Sequence, residues 1–336
     1  MDLAKIYPEL RIALVGDFCL DRYLEIDPAR QEVSLETGLA VHNVVRVRSQ
    51  PGAAGTILNN LVALGVGEIH CVGFAGDDGE GFELKRALAA MPGVRLDHFV
   101  VTPDRRTFTY CKPLVIHPNR SPEELNRLDS KNWKATPPGV QEALAQSIES
   151  LAERVDAMIL LDQVDVPETG VVTRRVLDAV GAATRRRPDL FVVADSRRGL
   201  RDFPPVIFKM NRRELARLSG RGDDLPLDEV QRAARQLGDR NQRPVIVTLA
   251  EAGIVGAAPG ADPVHEPALP IRGEIDIVGA GDAVTANVAC GLAAGLPLRD
   301  TIRLANAAAS VVIHQLGTTG TATLNQINDV LRSPAR

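Results

Sequence analysis

Short apolar runs that end in glycine or aspartate alternate with amphipathic runs along this chain, and that alternation leaves few folds open. "RIALVG", "EIHCVGFAG", "VDAMILLD", "LFVVAD" and "PVIVTLA" are short, rich in β-branched residues and closed by Gly, Asp or a turn, the mark of buried strands. Between them lie helical runs. "TILNNLVALG" puts Ile57, Leu61 and Leu64 on one face and stops at Gly65. "GFELKRALAAM", "ETGVVTRRVLDAVGAATRRR", "RRELARLSG" and "LDEVQRAARQLG" read the same way, as do Ala283–Ala294 and Leu298–Leu316. "GIVGAA" is placed as a strand beside "PVIVTLA". Strands that alternate with helices predict an α/β fold, a mostly parallel sheet covered on both faces.

Two stretches break the rhythm. Tyr23 to Gln50 and Leu96 to Val115 alternate β-branched with polar residues and have no helix between them. They predict a small antiparallel flap inserted into the α/β body, at about 23–50 and 96–115 of one domain spanning 1–336. Ligands bind at the carboxyl ends of such a sheet, so a flap there acts as a lid that excludes water. Residues 116–139 are polar and proline-rich and read as a long loop with one helical turn.

Net charge is −4 without a basic stripe, which argues against a nucleic-acid partner. The four cysteines, Cys19, Cys71, Cys111 and Cys290, form no C-x-x-C pair, so zinc and a disulfide framework are not expected. Reduced thiols, no signal-peptide core in "MDLAKIYPEL" and no apolar run of membrane-spanning length predict a cytoplasmic protein away from membranes.

The chemistry is concentrated in "DIVGAGDAV". No G-x-x-x-x-G-K-[ST] loop is present, and Val284 breaks the G-x-G-x-x-G pattern, so neither a Walker nor a Rossmann phosphate loop is available. What remains is a backbone nest, Gly279-Ala280-Gly281, opening a helix with Asp282 beside it. An anion hole next to a carboxylate that can take a hydroxyl proton is the minimum kit of a small-molecule kinase; a glycine turn with an acidic cap is the plain alternative. Asp17 and Asp21 in "VGDFCLDRY" follow the first strand and are placed to accept hydrogen bonds from a polyol, or to make a turn. "PGAAGTILNN" lets backbone approach a ligand at a helix start, or forms a tight turn. In "KMNRRE", Asn211 and Glu214 either form a capping box or support Mg²⁺ and phosphate.

An early glycine-rich loop combined with a late D-x-x-G-A-G-D resembles the ribokinase/PfkB family of carbohydrate kinases. The likeness spans almost the whole chain and includes "NRRE", "VTLAEAG" and "ANAAASVVIHQLGT". Within that family, "VGDFCLDRYLEIDP", "NRLDSKN" and "ANAAASVVIHQLGT" are most similar in look to the kinase domain of bacterial heptose 7-phosphate kinase/adenylyltransferases; no H-x-G-H motif of nucleotidyl transfer is present. The resemblance implies a ribokinase-like three-layer α/β/α sandwich with a small antiparallel β-lid, using ATP and Mg²⁺. It implies Asp282 as catalytic base, Gly279, Ala280 and Gly281 as anion hole, and Asp21 as a sugar ligand, with Asp17, Gly52, Thr56 and Asn60 on the acceptor side. It further implies Asn211 and Glu214 around Mg²⁺ and its water, Thr248, Gly253 and Asn306 at ATP, and Asp276 at a K⁺ site. Arg106 and Lys112 are placed in the lid by charge, facing a substrate phosphate. A homodimer through the lid edge is left open.

The sequence also departs from the family. "GAAGT" replaces G-G-x-x-N, putting Ala53 at the second glycine and Thr56 at the asparagine. "DQVDVPETG" and "DSRRG", with Arg197 and Arg198, are likewise its own. The expected activity is phosphorylation of a sugar or sugar phosphate. The alternatives are a nucleoside or other small-molecule kinase of the same fold, or a non-catalytic ligand sensor.

Overall fold

The computed structural model describes residues 1–118, 120–317 and 319–332. After the short helix α1 (Leu3–Ile6) come β1 (Arg11–Gly16), β2 (Phe18–Ile26), the two-residue strands β3 (Glu32–Val33) and β4 (Ala40–Val41), and β5 (Val44–Ala53). β5 runs directly into α2 (Ala54–Leu64), followed by β6 (Glu68–Gly76) and α3 (Gly79–Ala89). Five short strands come next: β7 (Val94–Arg95), β8 (Phe99–Thr102), β9 (Thr109–Val115), β10 (Glu123–Glu124) and β11 (Leu128–Ser130). Then follow α4 (Pro138–Ala152), β12 (Ala157–Asp162), α5 (Arg174–Arg186), β13 (Phe191–Ser196), β14 (Ile207–Asn211), α6 (Arg212–Leu218) and α7 (Leu227–Asn241). The chain closes with β15 (Val245–Thr248), β16 (Ile254–Ala257), β17 (Val264–Glu266), α8 (Ala280–Ala293), α9 (Leu298–Ile313) and α10 (Leu324–Arg332).

The central sheet has the order β17–β16–β15–β14–β13–β12–β1–β6–β7, with β8 also on β6. It is parallel from β7 to β15; β16 and β17 add antiparallel edges. Side chains alternate across it. Ala13 and Val15 of β1 pack under α4, α5, α6 and α7, whereas Ile12 and Leu14 pack under α2, α3, α8, α9 and α10. These are the three layers expected. The chain leaves β1 toward β6 on one side and toward β12 on the other. Loops at the strands' carboxyl ends part there, which opens a ligand crevice. Helix α8 is built of small residues and is buried from Ala283 to Leu292, packed between α2 and α9. Its N-terminus is thereby fixed over that crevice.

The second sheet has the order β10–β9–β2–β5, with β11 beside β9. β2–β5, β9–β10 and β9–β11 are antiparallel, and one parallel pair, β2–β9, joins the two hairpins. This is the lid, with different boundaries from those predicted. It begins at Phe18 rather than Tyr23, since Phe18–Ile26 is one continuous strand that pairs with β5 from Phe18 and with β9 from Leu20. Of 96–115, only Thr109–Val115 belongs to it; Phe99–Thr102 pairs with β6 of the body. Part of the polar stretch 116–139 forms β10 and β11. The predicted helix at 168–187 starts at Arg174, where Thr173 caps it by accepting from the Val176 amide. Thr318, the last residue of the "ANAAASVVIHQLGT" motif, lies outside the described residues.

Candidate active site

Two neighbouring parallel strands bring the site's charges together. β13 and β14 pair Val193 with Ile207 and Ala194 with Phe208, so Asp195 and Lys209 come next, side by side at the carboxyl ends. The Lys209 ammonium donates to Asp195 Oδ2 at 2.6 Å and is almost fully buried. It also stands 3.0 Å from where a Cβ on Gly281 would lie, which places it against the first turn of α8. Asp282 follows in that turn. The Thr285 hydroxyl, one turn on, lies 3.2 Å from Asp195 Oδ2 and 3.0 Å from the Gly281 carbonyl.

The field of this cluster shapes its protonation. Burial pushes the Asp282 carboxyl up to about 7; Asp195 and Asp21 add to the rise, and Lys209 opposes it. Burial disfavours the Lys209 charge, but Asp195, Asp282 and Glu214 outweigh it and raise its pKa above the ordinary lysine value. A base poised near neutrality beside a fixed cation is what proton abstraction from a hydroxyl needs.

Gly279 caps α8 with φ +84°, and a Cβ there would lie 2.8 Å from Thr319 Cγ2, so only glycine suits the turn. The Ala280 amide donates to the Ile277 carbonyl at 3.3 Å. The amides of Gly281 and Asp282 are first-turn donors without intrahelical partners, available to an anion, so the hole expected at Gly279, Ala280 and Gly281 moves to Gly281 and Asp282 because the Ala280 amide is taken.

On the acceptor side, Asp21 lies within β2, inside the lid, and not at the end of β1 as predicted. Its carboxylate rests on Gly52, where a Cβ would come within 2.4 Å of Oδ2. Lys112 Nζ is 3.9 Å from Asp21 Oδ1 and 5.0 Å from the Tyr23 ring centre. Burial raises the Asp21 pKa, and Lys112 and Arg127 oppose that rise. Thr56 is buried, its Cγ2 3.5 Å from the place of a Gly279 Cβ, so the N-termini of α2 and α8 meet here.

Two acceptor-side expectations change, those for Asp17 and Arg106. Asp17 does stand at the end of β1, but its carboxylate accepts from the amides of Val171 (2.7 Å), Gln163 (2.8 Å) and Val164 (3.3 Å). It organises a loop, and burial, with Asp162 adding, pushes its pKa up to about 6. Asn60 is fully buried; its Nδ2 donates to the Thr56 carbonyl of its own helix, and its Oδ1 has no hydrogen-bond partner among the described residues. Arg106 is turned toward α3, paired with Asp78 at 3.6 Å and Glu80 at 3.5 Å, so it faces two carboxylates instead of a substrate phosphate.

On the opposite side, Asn211 and Glu214 form the capping box. The Glu214 amide donates to Asn211 Oδ1, and the Asn211 amide to Glu214 Oε2. Glu214 Oε1 is not used by that box. Burial raises the Glu214 pKa, and the nearby Asp195 adds to it. Asp195, Glu214 and Asp282 around one ammonium leave an excess of negative charge, which fits a hydrated Mg²⁺ completed by phosphate oxygens. Among the described residues no three ligands converge to hold an ion alone. Thr248 ends β15. Gly253 packs its backbone on Glu266 and Ala268, and Asn306 Nδ2 donates to the Pro267 carbonyl at 2.6 Å, so these two residues shape one loop. The Asp276 carboxylate accepts from the Val278 amide at 3.0 Å, and its own amide donates to the Ile313 carbonyl.

Lys209 and Asp195 were not identified from the sequence as site residues. The available signal was a lysine inside the apolar run "VIFKMN".

A carboxylate, a buried cation and a helix N-terminus thus meet at the carboxyl ends of the strands in a three-layer sandwich. The family model of pfkB family carbohydrate kinases matches residues 18–324. The chain belongs to that family and is a carbohydrate kinase. Relatives named Bifunctional protein HldE are 31% identical in Azorhizobium caulinodans (91% of this chain, 61% of that protein) and 30% in Pelobacter propionicus (98% and 65%). The chain thus spans a little over six-tenths of those relatives' length. Among solved structures, Arabidopsis thaliana ribokinase complexed with ribose and ATP superposes with a TM-score of 0.68 at 18% identity, covering 96% of this chain and 99% of that one. Escherichia coli phosphofructokinase-2 in complex with fructose-6-phosphate gives 0.68 at 16%, covering 96% and 98%. Among the described residues no helix is long and apolar enough to cross a membrane.

Proposed function

We propose that this carbohydrate kinase transfers the terminal phosphoryl group of ATP to a hydroxyl of a sugar or sugar phosphate, heptose-phosphate-like in class, with Asp282 as general base. The observation that carries it is the placement of Asp282: in the first turn of α8, beside a buried ammonium, with a carboxyl poised near pH 7. Asp21, under Lys112 on the lid face, binds the acceptor's hydroxyls and holds one of them toward Asp282. Asp282 takes that hydroxyl's proton. The amides of Gly281 and Asp282, with Lys209, stabilise charge that develops on the transferring group; one such donor is worth roughly 10²–10³ in rate. ATP with Mg²⁺ supplies the activated phosphoryl when bound. Glu214 and Asp195 would hold Mg²⁺ through water, and Thr248 and the loop pinned by Asn306 would border the nucleotide. The lid closes the site against water.

Asp276, which precedes α8 and donates its amide to the Ile313 carbonyl at the end of α9, is the residue we assign to a K⁺ site; a structure of phosphofructokinase-2 in complex with potassium is among the structural neighbours. A homodimer through the free edge of β5 and a cytoplasmic location, consistent with four unpaired thiols, belong to the same proposal.

ADP release with Mg²⁺ and K⁺, measured against free sugars, sugar phosphates and nucleosides, tests the assignment. Turnover on one sugar or sugar phosphate supports it. Turnover on nucleosides alone, or ATP binding without turnover on any acceptor, overturns it.

A further inference from the structure

The loop after β12 carries a feature that phosphoryl transfer does not use. Residues 163–171 are pinned from several sides. Asp17 takes three of their amides, the Thr136 amide donates to the Glu168 carbonyl, the Thr136 hydroxyl donates to the Gly170 carbonyl, and the Arg105 guanidinium donates to the Thr169 carbonyl. Glu168 is held at φ +63°, a conformation that such pinning must maintain.

At the tip of this fixed loop, Asp165 sits between two cations from different segments. Its Oδ2 is 3.0 Å from Lys131 Nζ, and its Oδ1 is 3.3 Å from Arg197 Nε. Lys131 directly follows the lid strand β11, and Arg197 directly follows β13. Asp165 and Lys131 line a cleft with Tyr110, Trp133 and Val164. Tyr110 is the register partner of Asp21 across β9 and β2, and side chains at paired positions share a face. The cleft therefore continues the acceptor side beyond Asp21. A lysine and an arginine converging from two segments make a site for an oxyanion. Here the protein's own carboxylate holds it, and Lys131 and Arg197 in turn keep the Asp165 carboxyl below its ordinary pKa.

We propose that Asp165 is a specificity-determining residue, an internal counter-ion that occupies the Lys131–Arg197 pair and weakens acceptors with an anionic distal group relative to neutral ones. The consequence for acceptors rests on the kinase assignment above; the occupancy of the cation pair does not. Because the pairs are partly exposed, the competition is worth about one-and-a-half- to fivefold.

The test is a titration with inorganic phosphate, followed by the fluorescence of Trp133, the chain's only tryptophan. It compares the unaltered protein, Asp165→Asn, and Asp165→Asn combined with Arg197→Ala. The expected result is that Asp165→Asn binds phosphate about one-and-a-half- to fivefold more tightly and that the gain disappears with Arg197. Equal affinity in the first two proteins, no response in any of them, or a gain that survives loss of Arg197 overturns the proposal. Asp165→Asn should also raise kcat/KM for phosphorylated sugars relative to neutral ones. Absence of turnover on every acceptor would count against the kinase assignment, and the titration would still decide the role of Asp165.

Discussion

The ammonium of Lys209 lies 2.6 Å from Asp195 Oδ2, at the carboxyl ends of two adjacent parallel strands. That contact joins the sheet to the mouth of α8, because the same ammonium packs on Gly281 and lowers the pKa of Asp282. Lys209 thus links Asp282, the first turn of α8 and the carboxylate of Asp195.

Lys209→Met tests this link. Removing one partner of a buried ion pair leaves an uncompensated charge and costs roughly 3–5 kcal/mol. Urea denaturation at neutral pH should show a loss of that order. Since Lys209 holds the Asp282 pKa down, whatever turnover survives should have its pH midpoint moved upward. An unchanged midpoint would uncouple the two residues.

Asp282 should also leave a mark on stability. Its folded pKa of about 7 lies above the unfolded carboxylate value, so its ionisation opposes folding. The contribution is fully favourable below about pH 4 and is lost as pH rises through about 7. Asp282→Asn, which cannot ionise, should gain on the unaltered protein as pH rises, by on the order of 2–4 kcal/mol at pH 8. Denaturation curves at pH 5 and pH 8 give the comparison; a gap that closes toward pH 8 would contradict the assigned environment.

Ala53 joins the lid strand β5 to α2 with φ +53° and ψ −114°, a conformation that a Cβ disfavours. Ala53→Gly should raise stability by about 1 kcal/mol, and Ala53→Val should lower it by more than that. Thermal unfolding measures both. A loss with glycine would mean that the methyl's packing outweighs the strain.

Asp17 and Asp21 separate structure from binding. Asp17→Asn places an amide NH₂ against backbone donors and should cost about 1–3 kcal/mol of stability. Asp21→Asn should leave stability closer to that of the unaltered protein and raise the KM of the acceptor about tenfold or more. Calorimetry and steady-state kinetics on both variants should show this reversal of effects; equal effects on KM would return Asp17 to the binding site.

The sheet was legible because its strands are short apolar runs between helices, and periodicity records that directly. The proposed base, Asp282, was legible as a candidate because "GAGD" joins a nest to a carboxylate in adjacent residues. Contacts made between distant segments were not. Phe99–Thr102 has the same β-branched character as a lid strand, and only its pairing with β6 assigns it to the body. β10 and β11 are two and three residues long and polar, so they carry no periodic signal. Asp195 and Lys209 are separated by the whole β13–β14 connection, and only the strand register makes them neighbours. Asp17 and Arg106 have the residue types of a binding site, yet backbone amides and two acidic side chains take up their polar groups.

The most direct test of Asp282 as base is kcat against pH for the acceptor that supports ADP release, with Asp282→Asn assayed in parallel. Turnover is expected to rise with pH to a plateau, with a midpoint near 7, and to fall roughly 10²–10⁴-fold in the variant while ATP still binds. A variant that retains the rate and the pH profile of the unaltered protein would contradict the role given to Asp282.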